Sequence, residues 1–479
     1  MMKVTFIDPP VLIGNRNPER VFGCTYSLYP IPNIFLLLVC AVLKEHSHDV
    51  YYKNFPLEKC DVSDFIEYLS KDDSDIYAIN SVNLAKENDI ETHKLIRAIK
   101  EKIPVVFFGP APTYEPKYFL KDANTFVVRG EPEYTFLELV NSFSTTNNLE
   151  DIKGLSYYLD NKYICNEGRK INTNLDNLPL PARELLDTIK YFNPKFGDGK
   201  WTAMLTSRGC PYQCTYCVPN SLSFAREIDY KNRDKNKPKY VTRSAENVVK
   251  EFKLLSEKGF KYVSILDDEF MIDKERVMEI CNGIKNLKIE WGCLARPDSL
   301  DEELVRSVKE AGCKYIDIGV ESYDQDILDD INKSLRVETI EKAIALTKKY
   351  KIFTKINILF GSSKLEDKSS IKHTMDKIGE LKPDSVMFGI CNPFPGTEHY
   401  DIAKENNWFV NGDYYPVDVQ KESTISLPNI SKSDLEKSVR KANLGFFLNP
   451  IFVIKNLTKI KSPNELINKL GVFKKKIFK

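Results

Sequence analysis

Three cysteines close together in the sequence indicate the chemistry of this chain more directly than any other residues. Cys210, Cys214 and Cys217 form the pattern Cys-x3-Cys-x-Tyr-Cys, in which Tyr216 precedes the last cysteine. A loop of this length can wrap three thiolates around one compact group of soft metal ions. Iron–sulfur clusters are bound by cysteine thiolates, and a cubane cluster normally takes four of them. Three ligands would leave one iron atom without a protein ligand, so that this iron could bind a small molecule.

Two other uses of these thiols remain open on spacing alone. A structural zinc site needs four ligands and usually pairs of cysteines, but no second pair and no His-x3–5-His motif follows at zinc-finger distance. A disulfide with one spare thiol would need an oxidising compartment. The chain has eleven cysteines, an odd number without a repeating framework, and this is typical of a reducing cytoplasm.

The bulk composition limits the class of protein. A chain of 479 residues is long enough for two or three domains. The 69 basic and 68 acidic residues are balanced, so no net field would attract nucleic acid, and no nucleic-acid partner is expected. The N-terminus lacks the layout of a signal peptide. The longest apolar run, residues 34–43, is too short to span a bilayer. We expect a cytoplasmic protein.

The first domain is predicted to span residues 1–143. Short apolar strands alternate there with amphipathic helical stretches, which is typical of a doubly wound, Rossmann-like parallel sheet. The predicted strands cover residues 4–7, 50–53, 76–80, 105–108 and 125–128, and the predicted helices cover residues 35–44, 62–70, 87–102 and 133–143.

Small and polar residues follow these strands, at the edge where doubly wound sheets bind ligands. We therefore list as candidate cofactor-binding residues Asp8, Pro9, Ser81, Val82, Asn83, Gly109, Pro110, Gly130 and Glu131. They also fit ordinary turns, in which glycine, proline and asparagine are common. The long aperiodic stretch of residues 8–30 suggests a functional cover of this edge.

A connector is predicted over residues 144–199, with a hairpin at residues 154–165, and a barrel-type domain over residues 200–398. Six strand–helix units predict a partial TIM-like barrel, whose active site would lie at the carboxyl ends of the strands. The predicted barrel strands cover residues 202–206, 262–266, 289–293, 315–318, 354–360 and 385–390.

The residues that follow the barrel strands are polar or charged at most positions. The three cysteines follow the first strand. The ends of the later strands carry Asp267, Asp268, Glu269, Arg296, Glu321, Ser322 and Asn357. Each of these residues also has an ordinary structural interpretation. Asp267 and Asp268 could cap a helix, and Arg296 could be a surface charge. Their occurrence at matching positions favours one shared ligand site.

The composition of the remaining segments predicts where they lie. The lysine-rich stretch of residues 230–240 predicts a solvated loop, and His46 and His48 are expected at the surface. Residues 399–479 are predicted to form a helical segment, and from residue 455 onward eight lysines and one glutamate alternate with apolar residues. Such a basic amphipathic tail fits peripheral contact with an anionic membrane, and it equally fits packing on the barrel.

The cysteine pattern resembles the signature of the radical S-adenosylmethionine (radical SAM) superfamily. The first domain resembles the cobalamin-binding domain that precedes many radical SAM domains, through its Arg-Gly-Glu-x-Glu and Phe-Gly-Pro-Ala-Pro-Thr segments. Across nearly the whole chain, the segments Leu-Asp-Asp-Glu-Phe, Gly-Val-Glu-Ser and Pro-Phe-Pro-Gly-Thr resemble the branch of the anaerobic magnesium-protoporphyrin cyclase and the hopanoid-biosynthesis proteins.

The resemblance implies a set of cofactors and roles. Cys210, Cys214 and Cys217 would hold a 4Fe–4S cluster, and SAM would bind its open iron and yield a 5′-deoxyadenosyl radical. Tyr216 would lie near the adenine. Asp268, Arg296 and Glu321 would hold the methionyl group and ribose of SAM, with Glu269, Ser322 and Asn357 as further cofactor-binding residues. The implied electron source is an external donor of the ferredoxin or flavodoxin type.

Two departures from the family pattern are visible. The chain lacks the Asp-x-His-x-x-Gly motif, so a bound cobalamin is expected to have no histidine on its lower face. Residues 361–366 read Gly-Ser-Ser-Lys-Leu-Glu where the family has Gly-x-Pro-Gly-Glu. We expect an enzyme that methylates or otherwise modifies an unactivated carbon of a lipid- or tetrapyrrole-like molecule. Carbon–carbon bond formation or oxidative cyclisation without methyl transfer, and a non-catalytic corrinoid- or iron–sulfur-binding protein, are the alternatives.

Overall fold

The computed structural model describes residues 1–144, 148–234, 237–450 and 462–477. Its contacts group the chain into two compact units, which are described one at a time. Unit 1 comprises Met1–Lys190 and Val218–Thr242, and unit 2 comprises Tyr191–Cys217 and Arg243–Lys479. The segment after the cysteines therefore groups with the N-terminal part of the chain, whereas the predicted division had placed it in the barrel. The predicted division into four segments stays a prediction.

The strands are, in chain order, β1 Lys3–Asp8, β2 Asp49–Asn54, β3 Ile76–Asn80, β4 Val105–Phe108, β5 Thr125–Val128, β6 Leu155–Leu159, β7 Lys162–Cys165, β8 Trp201–Met204, β9 Ser207–Arg208, β10 Val241–Thr242, β11 Tyr262–Ile265, β12 Glu290–Ala295, β13 Cys313–Glu321, β14 Phe353–Phe360 and β15 Ser385–Ile390. The helices are α1 Ile34–Glu45, α2 Phe55–Glu58, α3 Val62–Lys71, α4 Lys86–Ile99, α5 Pro110–Tyr114, α6 Pro116–Phe119, α7 Pro132–Ser142, α8 Ser221–Asp234, α9 Ala245–Glu257, α10 Lys274–Ile284, α11 Glu302–Glu310, α12 Gln325–Asp330, α13 Val337–Lys349, α14 Lys368–Leu381, α15 Glu398–Glu405, α16 Lys432–Phe447 and α17 Pro463–Ile477.

Unit 1 contains a seven-stranded sheet in the order β2-β1-β3-β4-β5-β6-β7. Its first five strands are parallel, and their buried, continuous apolar sequences explain why they could be predicted. The predicted hairpin forms β6 and β7, which extend the sheet in antiparallel pairing and so do more than connect two domains. Asp160 and Asn161 turn this hairpin at φ 49° and 63°, as a two-residue hairpin turn requires.

The long loop after β1 is fixed by a buried ion pair. The Arg20 guanidinium donates to Asp89 Oδ1 of α4 at 2.7 Å and to the Asn80 carbonyl oxygen at 2.5 Å. Arg20 and Asp89 are 6% and 0% exposed. Removing one partner of such a pair would leave a buried charge without compensation, which typically costs about 3–5 kcal/mol. The loop is therefore a structured cover of the carboxyl edge of β1 and β3.

Two expectations for unit 1 were wrong. Residues 230–234, expected in a solvated loop, continue α8, because the charged residues Arg226 and Asp229 of that helix are buried and paired within the unit; residues 235–236 lie outside the described part. His48, expected at the surface, is buried, since its ring nitrogens contact the Met2 amide and the Asn141 side chain.

Unit 2 contains a six-stranded sheet in the order β15-β14-β13-β12-β11-β8, and every neighbouring pair is parallel. Each predicted barrel strand is present. The α/β fold class, with a doubly wound sheet followed by a partial barrel and a helical C-terminal segment, is confirmed. Of the predicted basic tail, residues 463–477 form α17, whereas residues 455–461 and 478–479 lie outside the described residues. In the part of the chain that the structure describes, no helix has the length and apolar character to cross a membrane.

The backbone conformation and close packing of Gly109 lead to a prediction about the stability of unit 1. Its φ is 105°, and an added Cβ would lie 2.6 Å from Ser81 O and 2.7 Å from Asn80 Nδ2. We expect Gly109→Ala to destabilise unit 1 by about 3 kcal/mol, since backbone strain and a clash with a main-chain oxygen add. Scanning calorimetry of the full chain should show a melting transition lowered by about 5–10 °C.

The control is Gly379→Ala, in α14, where no atom lies within 4 Å of the added Cβ. This change should leave the melting temperature unchanged or raise it slightly, because alanine favours a helix more than glycine does. Equal melting behaviour of the two variants would contradict the assigned strain at Gly109.

Candidate functional site

The loop that carries the three cysteines follows β8 and β9 in unit 2. The side chains of Cys210, Cys214 and Cys217 are half-buried. Asp267, at the end of β11, fixes the start of the loop: its carboxylate accepts hydrogen bonds from the Thr206 amide at 2.6 Å and from the Ser207 hydroxyl at 2.7 Å. Asp267 is thus a support of the loop rather than a helix cap.

Backbone contacts from two other turns hold the loop itself. The Thr215 amide donates to the Ile331 carbonyl oxygen at 3.1 Å, and the His399 amide donates to the Thr215 carbonyl oxygen at 2.9 Å. The Asn332 side-chain amide donates to the Gln213 carbonyl oxygen at 2.9 Å. Because the loop is too short to satisfy its own backbone groups, neighbouring turns provide these partners.

Two cations contact the aromatic side chains of the loop. The Arg296 guanidinium lies 3.6 Å from the centre of the Tyr212 ring. Lys333 Nζ lies 3.2 Å from the Tyr216 hydroxyl and 3.0 Å from Glu321 Oε1. The structure thereby brings together three predicted site residues, Tyr216, Arg296 and Glu321, and it joins them through a lysine that the sequence did not single out.

Unusual backbone conformations concentrate at this place. Glu321 has φ 68°, and Asn332 and Ser334, on either side of Lys333, have φ 54° and 50°. Residues other than glycine rarely occupy this region, and their strain of order 1–3 kcal/mol must be offset by surrounding contacts. Arg296 Nη2 supplies such contacts by donating to the carbonyl oxygens of Lys333 and Ser334 at 2.9 and 3.2 Å.

The other predicted residues of the barrel lie at the ends of their strands as expected. Asp268 is half-buried. Glu269 is buried, and burial raises the pKa of its carboxyl to about 7, although the Met271 amide donates to it at 3.0 Å. Ser322 accepts a hydrogen bond from the Asp324 amide at 3.2 Å. Asn357, in β14, is aligned with Gly319 in β13, and its buried Oδ1 has no hydrogen-bond partner. This buried acceptor fits a ligand that donates a hydrogen bond.

The turn at residues 361–366, where the sequence departs from the family pattern, contains a buried glutamate. Glu366 is buried, and its Oε2 accepts hydrogen bonds from the amides of Gly361 and Ser362 at 2.8 and 3.2 Å. The carboxyl group of Glu366 therefore forms hydrogen bonds within its own turn. The Ser362 hydroxyl is buried without a hydrogen-bond partner, so the turn still presents one polar group to a ligand.

The cysteines fit a cluster rather than a single ion. Among the described residues, no three His, Cys, Asp or Glu side chains lie close enough together to share one metal ion. In a cubane cluster each thiolate binds its own iron atom, so three separate thiols of one loop still fit that group. The zinc alternative, which needs ligands that converge on one ion, has no support in the described residues.

In unit 1 the predicted charged residues are engaged by protein partners. Asp8 Oδ2 accepts hydrogen bonds from the Tyr52 hydroxyl at 2.5 Å and the Asn54 amide at 3.0 Å, and burial raises the pKa of Asp8. Glu131 pairs with Arg226 of α8, at 3.0 Å between Oε1 and Nε. Both carboxylates therefore have structural partners in the protein, and their role in cofactor binding stays a prediction.

The uncharged members of the same set form a continuous edge. The carboxyl ends of β3, β4 and β5 are joined by the Ser81 amide, which donates to Phe108 O at 2.8 Å, and by the Gly130 amide, which donates to Thr113 Oγ1 at 3.2 Å. The Ser81 hydroxyl is buried and has no hydrogen-bond partner. Pro9, Val82, Asn83 and Pro110 are buried near these ends. A hydroxyl without a partner beside close-packed backbone fits a large ligand laid against this edge.

Comparisons with known proteins agree with both units. Residues 204–378 match the model of the Radical SAM superfamily, and residues 22–140 match that of the B12 binding domain. An uncharacterized methyltransferase of Pyrococcus horikoshii is 29% identical over 466 residues, which cover 95% of each chain. The anaerobic magnesium-protoporphyrin IX monomethyl ester cyclase of Cereibacter sphaeroides is 24% identical over 387 residues, covering 78% of this chain and 60% of that protein.

A solved structure shows the same fold from end to end. The cobalamin-dependent S-adenosylmethionine radical enzyme OxsB, with aqua-cobalamin and S-adenosylmethionine bound, superposes with a TM-score of 0.73. The match covers 99% of this chain and 72% of that chain at 17% sequence identity. The predicted cofactor set, a 4Fe–4S cluster, SAM and cobalamin, is confirmed at the level of the domains, whereas the residue assignments stay predictions.

The pKa of Glu366 gives a prediction for stability against pH. Burial raises this pKa to about 8, from an ordinary value of 4.5. Between these pH values the folded chain holds a proton that the unfolded chain has lost, so the stability of unit 2 should fall as the pH rises and level off above pH 8. Glu366→Gln should remove this part of the slope, about 1.4 kcal/mol per pH unit.

Urea midpoints of the full chain at several pH values between 5 and 9 would measure this slope. Glu338→Gln, an exposed glutamate of the same unit, is the matched control and should retain the slope of the unchanged chain. A pH profile that is the same in the Glu366 variant and in the control would show that Glu366 is ionised throughout.

Proposed function

Since the chain belongs to the cobalamin-dependent radical SAM enzymes, with a B12-binding domain ahead of its radical SAM domain, we propose that it methylates an unactivated carbon of an apolar small molecule. The main support is the end-to-end similarity to a relative described as a methyltransferase, which covers 95% of both chains. When bound, the cluster and SAM supply the radical that removes a hydrogen atom, and cobalamin supplies the methyl group.

The residues of unit 2 have distinct tasks in this proposal. Cys210, Cys214 and Cys217 would hold the cluster, and Asp267 keeps the start of their loop in place through hydrogen bonds to Thr206 and Ser207. Arg296 and Glu321, together with the buried acceptor of Asn357, would orient SAM through charge and hydrogen bonding. Asp268, Glu269 and Ser322 would complete this set at the strand ends.

Unit 1 would bind cobalamin mainly through backbone and small side chains. The edge presents the buried Ser81 hydroxyl, which has no hydrogen-bond partner, and Gly109 lets the strand ends pack closely, because a Cβ there would lie 2.6 Å from Ser81 O. Val82, Asn83 and Pro110 extend this edge, and Asp8, Pro9 and Glu131 would shape it from the side. The absence of Asp-x-His-x-x-Gly from the sequence leads us to expect cobalamin without a histidine ligand.

The substrate and electron source follow from the family at a coarser level. A small molecule is the substrate class, and we propose a lipid- or tetrapyrrole-like one, because the cyclase of Cereibacter sphaeroides acts, by its name, on a protoporphyrin ester. A bound cluster would need an electron from outside the chain, and a ferredoxin- or flavodoxin-type donor fits that need.

A second outcome of the same chemistry also has support. The relative from Cereibacter sphaeroides is described as a cyclase, and its similarity extends over 78% of this chain. Radical formation in this case would lead to oxidative cyclisation or coupling without methyl transfer. The two outcomes differ in one product, since only methyl transfer converts a further SAM molecule into S-adenosylhomocysteine.

The cluster assignment can be tested with Cys214→Ala. Anaerobically reconstituted protein, with cobalamin, SAM, a reductant and a lipid extract of the host, should form 5′-deoxyadenosine and S-adenosylhomocysteine, both measured by mass spectrometry. In Cys214→Ala both products should fall to the level of a protein-free sample, because a two-thiolate loop cannot hold the cluster. Cys165→Ala, which changes an exposed cysteine of β7, is the control and should retain full activity.

Each product pattern has a defined meaning. Both products from the unchanged chain support methyl transfer, and deoxyadenosine alone supports cyclisation or coupling. If neither product forms although iron and sulfide analysis shows an intact cluster, the chain is a binding protein and the proposal is overturned.

We further propose that α17 contacts an anionic membrane surface, which would bring the enzyme near an apolar substrate. Ile467 and Leu470, one turn apart, are 66% and 54% exposed, and Lys474 and Lys475 are exposed on the next turn. An exposed face with apolar and basic residues is typical of helices that lie in the membrane interface. The same helix in unit 2 has half-buried residues, so partial packing on the barrel is compatible with this contact.

Vesicle flotation tests this contact. The full chain should float with vesicles that contain phosphatidylglycerol and not with neutral phosphatidylcholine vesicles. The double change Ile467→Asp and Leu470→Asp should reduce the bound fraction roughly tenfold. Ile189→Asp, at a residue 86% exposed in unit 1, is the control and should float like the unchanged chain. No flotation with anionic vesicles would count against the contact.

A further inference from the structure

The turn formed by residues 331–334, here called the 331–334 turn, contacts the cysteine loop at three points. Ile331 accepts a hydrogen bond from the Thr215 amide at 3.1 Å, and the Asn332 side chain donates to Gln213 O at 2.9 Å. Lys333 Nζ lies 3.2 Å from the Tyr216 hydroxyl. A turn that contacts Gln213, Thr215 and Tyr216, on both sides of Cys214, can control the position of this part of the loop.

Lys333 is buried, which is unusual for a lysine. It is 5% exposed, and lysines are rarely buried unless they are paired. Its carboxylate partner is Glu321, at 3.0 Å between Nζ and Oε1. Burial lowers the pKa of Lys333, but its pairing with Glu321 opposes this effect, and the net pKa lies above the ordinary value. Paired with Glu321 and in contact with the Tyr216 hydroxyl, the lysine is a buried positive charge next to the cysteine loop.

Arg296 places a second positive charge in the same region. Its guanidinium donates to Asp298 at 2.8 Å and to the Lys333 carbonyl oxygen at 2.9 Å. Each cation has one carboxylate partner, and each cation also contacts one tyrosine of the cysteine loop.

A fixed charge of this kind acts on the reduction of a cluster. A cubane held by three thiolates becomes more negative by one unit when it accepts an electron, and no bond forms or breaks in this step. A buried cation nearby stabilises the more negative state, because charges interact strongly in a medium of low dielectric constant. The net charge and hydrogen bonding around a cluster are recognised determinants of its reduction potential.

We propose that Lys333 is a positioning residue of the radical SAM site, which fixes the loop through Tyr216 and whose charge raises the reduction potential of the cluster. The electron comes from an external one-electron donor, and the cluster is the acceptor. This inference rests on the proposed cluster ligands, Cys210, Cys214 and Cys217. It adds a function for a residue that lies outside the strand ends on which the site was first predicted.

Redox titration followed by electron paramagnetic resonance tests the charge. Iron and sulfide content is measured first in each variant, so that loss of the cluster is separated from a change in its potential. Lys333→Gln keeps a hydrogen-bonding side chain but no charge. Its ratio of reduced to oxidised cluster at a fixed potential should fall roughly tenfold, which equals about 59 mV for a one-electron couple. Lys333→Arg should restore a potential close to that of the unchanged chain.

Two further variants make the test decisive. Lys342→Gln, at an exposed lysine of α13, should have the potential of the unchanged chain. Glu321→Gln removes the negative partner and keeps the lysine, so its potential should become less negative. If Lys333→Gln does not bind a cluster, the potential of Glu321→Gln decides whether the charge of Lys333 affects the cluster.

The outcomes separate this inference from the proposed function. An unchanged potential in Lys333→Gln with a full cluster, or an unchanged or more negative potential in Glu321→Gln, overturns the role of the charge. Absence of a cluster from the unchanged chain would instead overturn the ligand assignment on which the inference rests. A shifted potential in a chain that produces no deoxyadenosine would support the inference while contradicting the proposed enzyme activity.

Discussion

The structure around the candidate site depends on the pairing of two buried cations. Arg296 and Lys333 each have a carboxylate partner, Asp298 and Glu321, and each also contacts a tyrosine of the cysteine loop. A buried charge without a partner would cost several kcal/mol, so these pairs constrain where the strand ends and the loop can lie. The loop is therefore positioned by side chains from β12 and β13 and by the 331–334 turn, and not by its own short sequence.

The buried charges of unit 1 are arranged differently from those around the candidate site of unit 2. Its buried charges pair with each other: Arg20 with Asp89, Arg226 with Glu131, and Arg129 with Asp229 at 3.2 Å. The polar helix α8 provides two of these partners. The uncharged residues at the carboxyl ends of β3, β4 and β5 are Ser81, Val82, Asn83, Gly109, Pro110 and Gly130. Such a surface can bind a large planar ligand by shape and a few hydrogen bonds, without a charged or coordinating side chain.

The sequence allowed the strands to be predicted because parallel strands buried on both faces are short, continuous apolar runs. The strand ends could be predicted with them, and these ends carry Glu321, Arg296 and the cysteines. Lys333 and α8 could not be predicted in this way. Their polar residues resemble a solvated surface in the sequence, and only tertiary partners such as Glu321 and Glu131 make their burial favourable. The role of Asp267 could not be predicted either, and a helix cap was its local alternative, because the Ser207 hydroxyl that donates to its carboxylate lies 60 residues away in the chain.

The strained turn next to Lys333 explains how the site can be organised before its cofactors bind. Asn332 and Ser334 adopt positive φ values of 54° and 50°, although glycine would do so at lower cost. Arg296 donates to the two carbonyl groups of this turn, and the turn in turn holds the cysteine loop. The contacts that offset the strain are thus the same contacts that position the loop. A change in the conformation of this turn would therefore also change the contacts that hold the cysteine loop.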